Sequence, residues 1–163
     1  MGVTTQESSL VANATAGTFN SSVDGGGRVH ASYFSHTQDG AGDATSSVAL
    51  VKLPAGRVRL MLGLSMLHVD WTTGSATLDL GWDAYVGLDG VAVVADPNGL
   101  IDGLDVDTAG RYSGEDLVTA ITDQDGGTKL FTSQAGVTIR ATSQDVALAT
   151  SSAIAGYLAY LKE

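Results

Sequence analysis

The stretch RVRLMLGLSMLHV, residues 57–69, decides the fold. Apolar side chains occupy every second position in it, which is the period of a β-strand. The first face contains Val58, Leu60, Leu62, Leu64 and Met66, with His68 at its end. Because Met61, Leu67 and Val69 make the second face partly apolar as well, we expect this strand at the centre of a sheet or beneath another surface.

Similar patterns flank this strand on both sides. Residues 28–34 alternate, and a short apolar segment, 48–53, leads into Pro54-Ala55-Gly56, where Pro fixes φ and Gly permits a reversal. After it, residues 75–86 alternate again, with Leu78, Leu80 and Trp82 on one face. We expect the 75–86 strand to pair antiparallel with the 57–69 strand.

The second half of the chain carries weaker patterns. Asp96-Pro97-Asn98-Gly99 suits a type I turn. Residues 113–122 resemble a short helix, and strands over 129–133 and 137–142 are joined by a hairpin-length link, Gln134-Ala135-Gly136. Residues 154–160 fit a helix or a strand, and Gly156 and the two nearby Tyr residues favour the strand.

The fold predicted from these patterns is all-β. Several short strands at turn-marked spacing favour an antiparallel β-sandwich or jelly-roll-like barrel, formed by residues 28–163 as a single domain. Residues 1–27 are dominated by Ser, Thr, Asn, Ala and Gly and end in Gly25-Gly26-Gly27. This composition buries too little apolar surface to offset the entropy of ordering, so we expect a flexible N-terminal arm.

The charge and composition of the chain limit the kinds of partner that we expect it to bind. The 163 residues include 8 Lys and Arg against 18 Asp and Glu, a formal net charge of −10, and the cations are scattered along the chain. Such a surface repels a nucleic-acid backbone, so no nucleic-acid partner is expected. No window approaches the roughly 18 uninterrupted apolar residues of a membrane span, so no membrane partner is expected either. The chain has no Cys, which excludes disulfides and thiolate chemistry.

Residues capable of catalysis or metal binding do not fall into recognised arrangements. His30, His36 and His68 do not occur in zinc-binding spacings, and no GxSxG is present. A calcium loop starting at Asp123 places Gln134 where the bidentate acid belongs. Asp79 and Asp83 share one face of a strand and are expected to be solvated. We therefore expect no enzyme, no catalytic residue, no metal and no cofactor.

Aromatic residues are the remaining candidates for an interface, and we single out Trp71, Tyr112 and Tyr160. Trp71 falls in a predicted loop, where an exposed indole can stack on a sugar or anchor a protein contact. Trp82 continues an apolar series and is assigned to the core.

The order of four motifs resembles small structural proteins of tailed bacteriophages, in particular capsid decoration proteins. The motifs are Leu53-Pro54-Ala55-Gly56, Thr77-Leu78-Asp79-Leu80-Gly81, the segment LIDGLDVDTAG at 100–110, and Gly156-Tyr157-Leu158-Ala159-Tyr160. The resemblance covers about residues 48–161 and leaves the N-terminal arm unmatched.

This resemblance implies a structural virion protein without enzymatic activity. By analogy, the chain would bind the outer surface of the capsid, with the major capsid protein as partner, often as a homotrimer, and would stabilise the shell. It would be assembled in the host cytoplasm, and the arm would reach a neighbouring capsomer. The alternative is a virion-associated module, such as a head fibre or tail domain, that binds a host glycan with Trp71 as the stacking residue.

Overall fold

Two antiparallel sheets form most of the described part of the chain, which comprises residues 28–71, 74–118 and 127–163 of a computed structural model. The sheets pack face to face as a sandwich, so the predicted all-β fold is confirmed. The predicted arm, residues 1–27, lies outside the described residues. The strands are β1 (Val29–Thr37), β2 (Ser47–Leu53), β3 (Gly56–Asp70), β4 (Thr77–Trp82), β5 (Tyr85–Val86), β6 (Ala92–Val93), β7 (Asp96–Asp105), β8 (Gly110–Ser113), β9 (Thr128–Ser133), β10 (Val137–Gln144) and β11 (Ala153–Lys162).

The order of strands shows a chain that changes sheets at most of its connections. The five-stranded sheet has the order β1-β11-β3-β8, with β9 also paired to β3. The four-stranded sheet has the order β2-β10-β4-β7, and β5 and β6 form a small hairpin of their own. The long strand β3 is central in its sheet, as its two apolar faces predict.

Two predicted strand pairs are therefore wrong. The 57–69 and 75–86 strands do not pair, because β3 belongs to the five-stranded sheet and β4 to the four-stranded one. The link 134–136 does not close a hairpin, because it carries the chain from β9 in one sheet to β10 in the other. Gly136 allows this crossing with φ +88°, and its N–H donates to Ser133 Oγ at 3.1 Å.

The core lies between the sheets and is built from alternate residues of both. Its fully buried side chains include Leu60, Leu62, Leu67, Leu78, Leu80, Ile139 and Leu158. Burying an aliphatic side chain of this size contributes about 1.5–3 kcal/mol relative to leaving it in water. The predicted C-terminal strand is confirmed as β11, which lies between β1 and β3 and closes the five-stranded sheet.

A bulge in β3 changes which of its faces is buried. Met61 lies opposite Ala159 and Met66 opposite Tyr157, so residues 62–65 of β3 face a single residue of β11. The buried series consequently passes from Leu62 to Ser65 and continues along the other face. The predicted uninterrupted core face is wrong beyond Leu62: Leu64 is exposed, and Leu67 and Val69 are buried. His68 is likewise exposed, not the end of the core-facing series.

The hydroxyl of Ser65 holds this bulge together. It donates to the carbonyl oxygen of Met61 at 2.8 Å and accepts the N–H of Ala159 at 3.0 Å. Ser65 is buried, and a buried backbone group without a partner costs about 1–3 kcal/mol. The serine thus replaces hydrogen bonds that the interrupted strand ladder cannot make.

The predicted turn at 96–99 is a bulge within β7. Trp82 lies opposite Asp96 and Leu80 opposite Ile101, so the extra residues of β7 bulge out beside Gly81. Pro97 is tolerated there because β7 is an edge strand, where an N–H is dispensable. The turn prediction is wrong because local preference for a reversal gave way to pairing with β4.

The predicted helix over 113–122 is seen only in its first residues. Gly114–Leu117 form a 3₁₀ helix, and the Ser113 N–H donates to Asp116 Oδ2 at 3.0 Å. The side chain of Leu117 fills the core. Residues 119–126 lie outside the described residues, and with them Asp123 and Asp125 of the rejected calcium loop.

Candidate interaction surface

Exposed apolar side chains concentrate on residues 84–95, which we name the apolar hairpin. It consists of β5, β6 and the segments around them, and it carries four of the seven large hydrophobic side chains exposed in the described residues. These four are Val86, Leu88, Val91 and Val94, with exposed fractions of 44%, 50%, 60% and 78%. Single exposed aliphatic residues are ordinary, but a group of them indicates a contact surface.

Hydrogen bonds fix the apolar hairpin to the sandwich and close its turn. The Trp82 indole N–H donates to the Val94 carbonyl at 3.2 Å, and the Gln134 N–H donates to the Val86 carbonyl at 3.0 Å. Within the turn, the Gly87 N–H donates to the Val91 carbonyl at 2.8 Å. The surface is therefore held in one shape before any partner arrives, which lowers the entropy that binding must overcome.

Ring packing supports the base of the apolar hairpin. The Tyr85 ring meets the Phe131 ring edge-on, with 6.1 Å between centroids, and Trp82 packs edge-on against the same ring at 5.5 Å. Lys129 Nζ lies 5.0 Å from the Trp82 ring centroid. Trp82 is largely buried, as predicted for a core residue.

Little charge accompanies these apolar side chains. Between Ala84 and Ala95 the one ionisable acid is Asp89, and its Oδ1 accepts the Val91 N–H at 3.0 Å. Burial, and then the Asp89 carboxylate, raise the pKa of Tyr85. At the base, Asp83 makes two hydrogen bonds with Arg140, at 2.7 and 2.9 Å. The Arg140 hydrogen bonds hold the pKa of Asp83 below its ordinary value although partial burial opposes them.

Trp71 does not provide the exposed indole expected from its position. It follows β3 directly, yet only 2% of its surface is exposed and it belongs to the core. Ser152 Oγ donates to its carbonyl oxygen at 3.3 Å, which ties the end of β3 to the start of β11. The expectation of a solvent-facing stacking residue is therefore wrong.

Tyr112 and Tyr160 are half-buried and lie on different strands. Tyr112 packs against the core from β8, and its hydroxyl donates to the Thr108 carbonyl at 2.7 Å. Burial raises the pKa of Tyr112, and the carboxylates of Asp105, Asp107 and Asp116 raise it further. Tyr160 lies on β11 and stacks on His30 with 5.4 Å between ring centroids. Tyr112 and Tyr160 flank β3 on opposite sides, so the structure does not gather the three aromatic residues into one patch.

The carboxylates that could suggest catalysis have structural partners. Asp79 is buried, not solvated as its strand position predicts: its Oδ1 accepts the Gly103 N–H at 2.8 Å and its Oδ2 accepts from the Gln144 amide at 2.9 Å. Asp83 is occupied by Arg140. Within residues 28–71, 74–118 and 127–163, no three His, Asp or Glu side chains come close enough to hold a metal ion.

Other features of the surface are small. A cavity beside His36, Trp71 and Leu148 has room for about one water molecule. His30, His36 and His68 are all exposed on strands of the five-stranded sheet. Among the residues that the structure describes, no helix is long and apolar enough to cross a membrane.

The sequence patterns do not predict that the apolar hairpin is exposed, although its apolar residues are easily seen in the chain. The run Val91–Ala95 is apolar and therefore predicts a buried strand. Only its position outside the two main sheets leaves these side chains exposed. A signal was nevertheless present in the Gly87-Leu88-Asp89-Gly90 sequence, which is typical of a tight turn and separates two short apolar segments.

The described chain thus forms an all-β sandwich with an ordered group of exposed apolar side chains. No family model and no curated protein matches it. Similar solved structures include chains of infectious bursal disease virus, from the Gx strain (11% identity, TM-score 0.39) and the Gt strain (8%, 0.40), and of the VP2 subviral particle of that virus (10%, 0.36). The alignments cover 83%, 83% and 82% of this chain and 32%, 36% and 36% of theirs. The chain therefore spans about a third of the length of the chains it matches, and similarity this low assigns no function.

Proposed function

We propose that this chain is a structural virion protein that binds the outer surface of a tailed-phage capsid and stabilises the shell through subunit contacts. The observation that carries the proposal is the apolar hairpin, an ordered group of exposed aliphatic side chains on a strongly acidic protein. Its partner in this proposal is the major capsid protein, and the chain acts as a homo-oligomer, by resemblance a trimer. No catalytic step, cofactor, nucleic acid or membrane forms part of it.

The energetics of the apolar hairpin suit such a role. Removing apolar surface from water contributes about 25 cal/mol per Å², against which stand the costs of association. Because hydrogen bonds from Trp82 and Gln134 already hold the hairpin, little of that gain is lost to ordering. A homo-oligomer that engages several sites of one shell at once gains from each of these modest contacts.

The resemblance to decoration proteins supplies the identity of the partner. Its motifs occupy the crossing from β2 to β3, the strand β4, the end of β7 and the strand β11. The apolar hairpin, residues 84–95, lies within the range 48–161 that the resemblance covers, between the second motif and the third.

The glycan-binding alternative requires Trp71 to be exposed as the stacking residue. Trp71 is buried, and Trp82, the second Trp of the chain, is buried as well. Stacking on a sugar requires an exposed ring face. We therefore do not carry this alternative forward.

The test is co-sedimentation with empty shells assembled from the major capsid protein encoded in the same genome. Val94→Asp and Leu88→Asp place a charge in the apolar contact, and we expect each to weaken binding at least tenfold. Ala147→Asp adds the same charge on an exposed residue between β10 and β11 and should bind as the wild type does. Thermal melts of each variant establish that the sandwich is intact. Equal binding by Val94→Asp and the wild type would contradict the proposal.

A further inference from the structure

Strand β1 is an unusually open sheet edge. It pairs on one side with β11 through nine consecutive residue pairs, Val29↔Leu161 to Thr37↔Ala153, without a bulge. Its other side has no partner strand among the described residues. Seven of its nine residues are exposed, and only Ser32 and Phe34 are half-buried. The strand thus leaves one row of its backbone groups without a strand partner among the described residues.

The other edge strands carry features that discourage strand addition. In the four-stranded sheet, β7 has a bulge, Pro97, and the acidic residues Asp102 and Asp105. At the opposite edge, β2 is bent by a register shift beside Ile139 and carries Lys52. In the five-stranded sheet, β8 is only four residues long, and β9, beside it on the same side of β3, is six residues long and carries Lys129. Bulges, proline, charge and short length are the usual means by which natural edges avoid pairing, and β1 has none of them.

β1 also differs from the rest of the molecule in its content of charged residues. The chain carries a net charge of −10, yet β1 contains no Asp, Glu, Lys or Arg. Two copies can therefore approach through this edge without bringing carboxylates together. On the outer face, Val29 and Tyr33 are exposed, and the Tyr33 ring lies 5.7 Å from that of Tyr157.

We propose that the occupant of this edge is a second copy of the chain, whose own β1 pairs antiparallel with it across a twofold axis. The two five-stranded sheets then form one continuous sheet, a form of strand addition in which both partners offer the same residues. This twofold contact does not depend on the proposed binding to a shell and is separate from the apolar hairpin. It is also distinct from the threefold contact of the proposed trimer, and it would join assemblies in pairs.

The twofold arrangement improves the burial of a residue that one copy leaves half-covered. An axis perpendicular to the sheet keeps the inner faces of both copies on the same side. Phe34 points toward the core from near the middle of β1 and so lies near this axis. Each copy would then cover the Phe34 of the other, which an unrelated strand need not do.

The test is the mass of the full chain in solution, measured by sedimentation velocity over a range of concentrations. Ala31→Glu places a carboxylate two residues from the middle of β1, so the paired edge gains two carboxylates in a contact otherwise free of charged side chains. We expect the wild type to have twice the mass of Ala31→Glu. The dissociation constant of the paired copies should be at least tenfold larger for the variant. Ala109→Glu, the same change on an exposed residue beside β8 at the opposite edge of the sheet, should keep the wild-type mass.

Hydrogen exchange of the β1 amides completes the test. Protection that rises with protein concentration, and that Ala31→Glu removes, supports the proposal. A wild type of the same mass as Ala31→Glu would overturn it. So would protection, at every concentration, of the β1 amides that do not pair with β11, because another part of the chain would then cover the edge. Val94→Asp should retain the contact through β1, and Ala31→Glu should retain binding to shells, so failure of this inference and failure of the proposed function are distinguishable.

Discussion

Trp71 is anchored at the point where β3 leaves the five-stranded sheet. Its indole lies in the core and its carbonyl oxygen accepts from the buried hydroxyl of Ser152. The hydrogen bond of its carbonyl joins the end of β3 to the beginning of β11, and its aromatic side chain packs in the core. Its role is therefore in the stability of the sandwich.

Replacing Trp71 by Ala should lower the free energy of unfolding by about 3–5 kcal/mol, because the change removes a large buried ring and leaves a cavity. Urea denaturation at neutral pH measures the difference. Val94→Ala is the control, since 78% of the Val94 surface is exposed, and should change stability by less than about 0.5 kcal/mol. A loss for Trp71→Ala as small as that of the control would show that the indole is not part of the core.

The burial of some single residues can be predicted from the sequence, and that of others cannot. The assignment of Trp82 to the core follows from its alternating neighbours and is confirmed. The burial of Asp79 does not follow, because its partners Gly103 and Gln144 are distant in the chain and only the folded sheets bring them together. For the same reason the sequence shows the alternation of β3 but not the bulge at Ser65, which depends on β11.

At the scale of elements, most strands could be located from the sequence, and their pairing could not. Alternation located β1, β3 and β4, because it depends on which side chains of one strand are buried. Short apolar segments and residue preferences located β2, β9, β10 and β11. Pairing was predicted from proximity along the chain, which works where consecutive strands form hairpins. Here the links at Pro54–Gly56 and Gln134–Gly136 cross between sheets, so consecutive strands become opposed layers.

The pairing of β11 with β3 depends on Gly156. This residue has φ +154°, and a Cβ on it would collide with the carbonyl oxygen of Met66. Gly156→Ala should therefore destabilise the protein by about 1–3 kcal/mol, because backbone on the central strand must shift to admit the methyl group. Thermal and urea unfolding measure the effect.

Gly74→Ala provides the comparison for Gly156→Ala. A Cβ at Gly74 meets nothing within 4 Å, so this variant should unfold within about 0.5 kcal/mol of the wild type. If the two variants were equally stable, the close approach of β11 and β3 at Gly156 would not be needed for the fold.

The whole molecule presents two surfaces with different properties. The apolar hairpin offers aliphatic side chains on a fixed support, which suits a complementary protein surface. The edge of β1 offers backbone groups, which suit another strand. One surface is proposed to bind a shell and the other to join copies, so the chain could make both contacts at once.

The predicted N-terminal arm, residues 1–27, concerns how the whole molecule would attach to a shell. Deleting residues 1–26 should leave the melting temperature of the sandwich nearly unchanged, because the described sheets begin at Val29. It should weaken co-sedimentation with empty shells if the arm reaches a neighbouring capsomer. Full retention of shell binding by the deleted protein, with its melting temperature preserved, would contradict a role for the arm.

The position of β11 has a consequence for the order in which the domain is made. This strand, residues 153–162, inserts between β1 and β3, so the first described strand has no neighbour in its sheet until residues more than a hundred positions later have been synthesised. Contacts so far apart in the chain slow folding, because a long loop must close before any of them forms. On a ribosome, β1 emerges early and waits unpaired, and the five-stranded sheet closes only after β11 has left the exit tunnel. Folding of the five-stranded sheet is therefore expected to wait for the synthesis of β11.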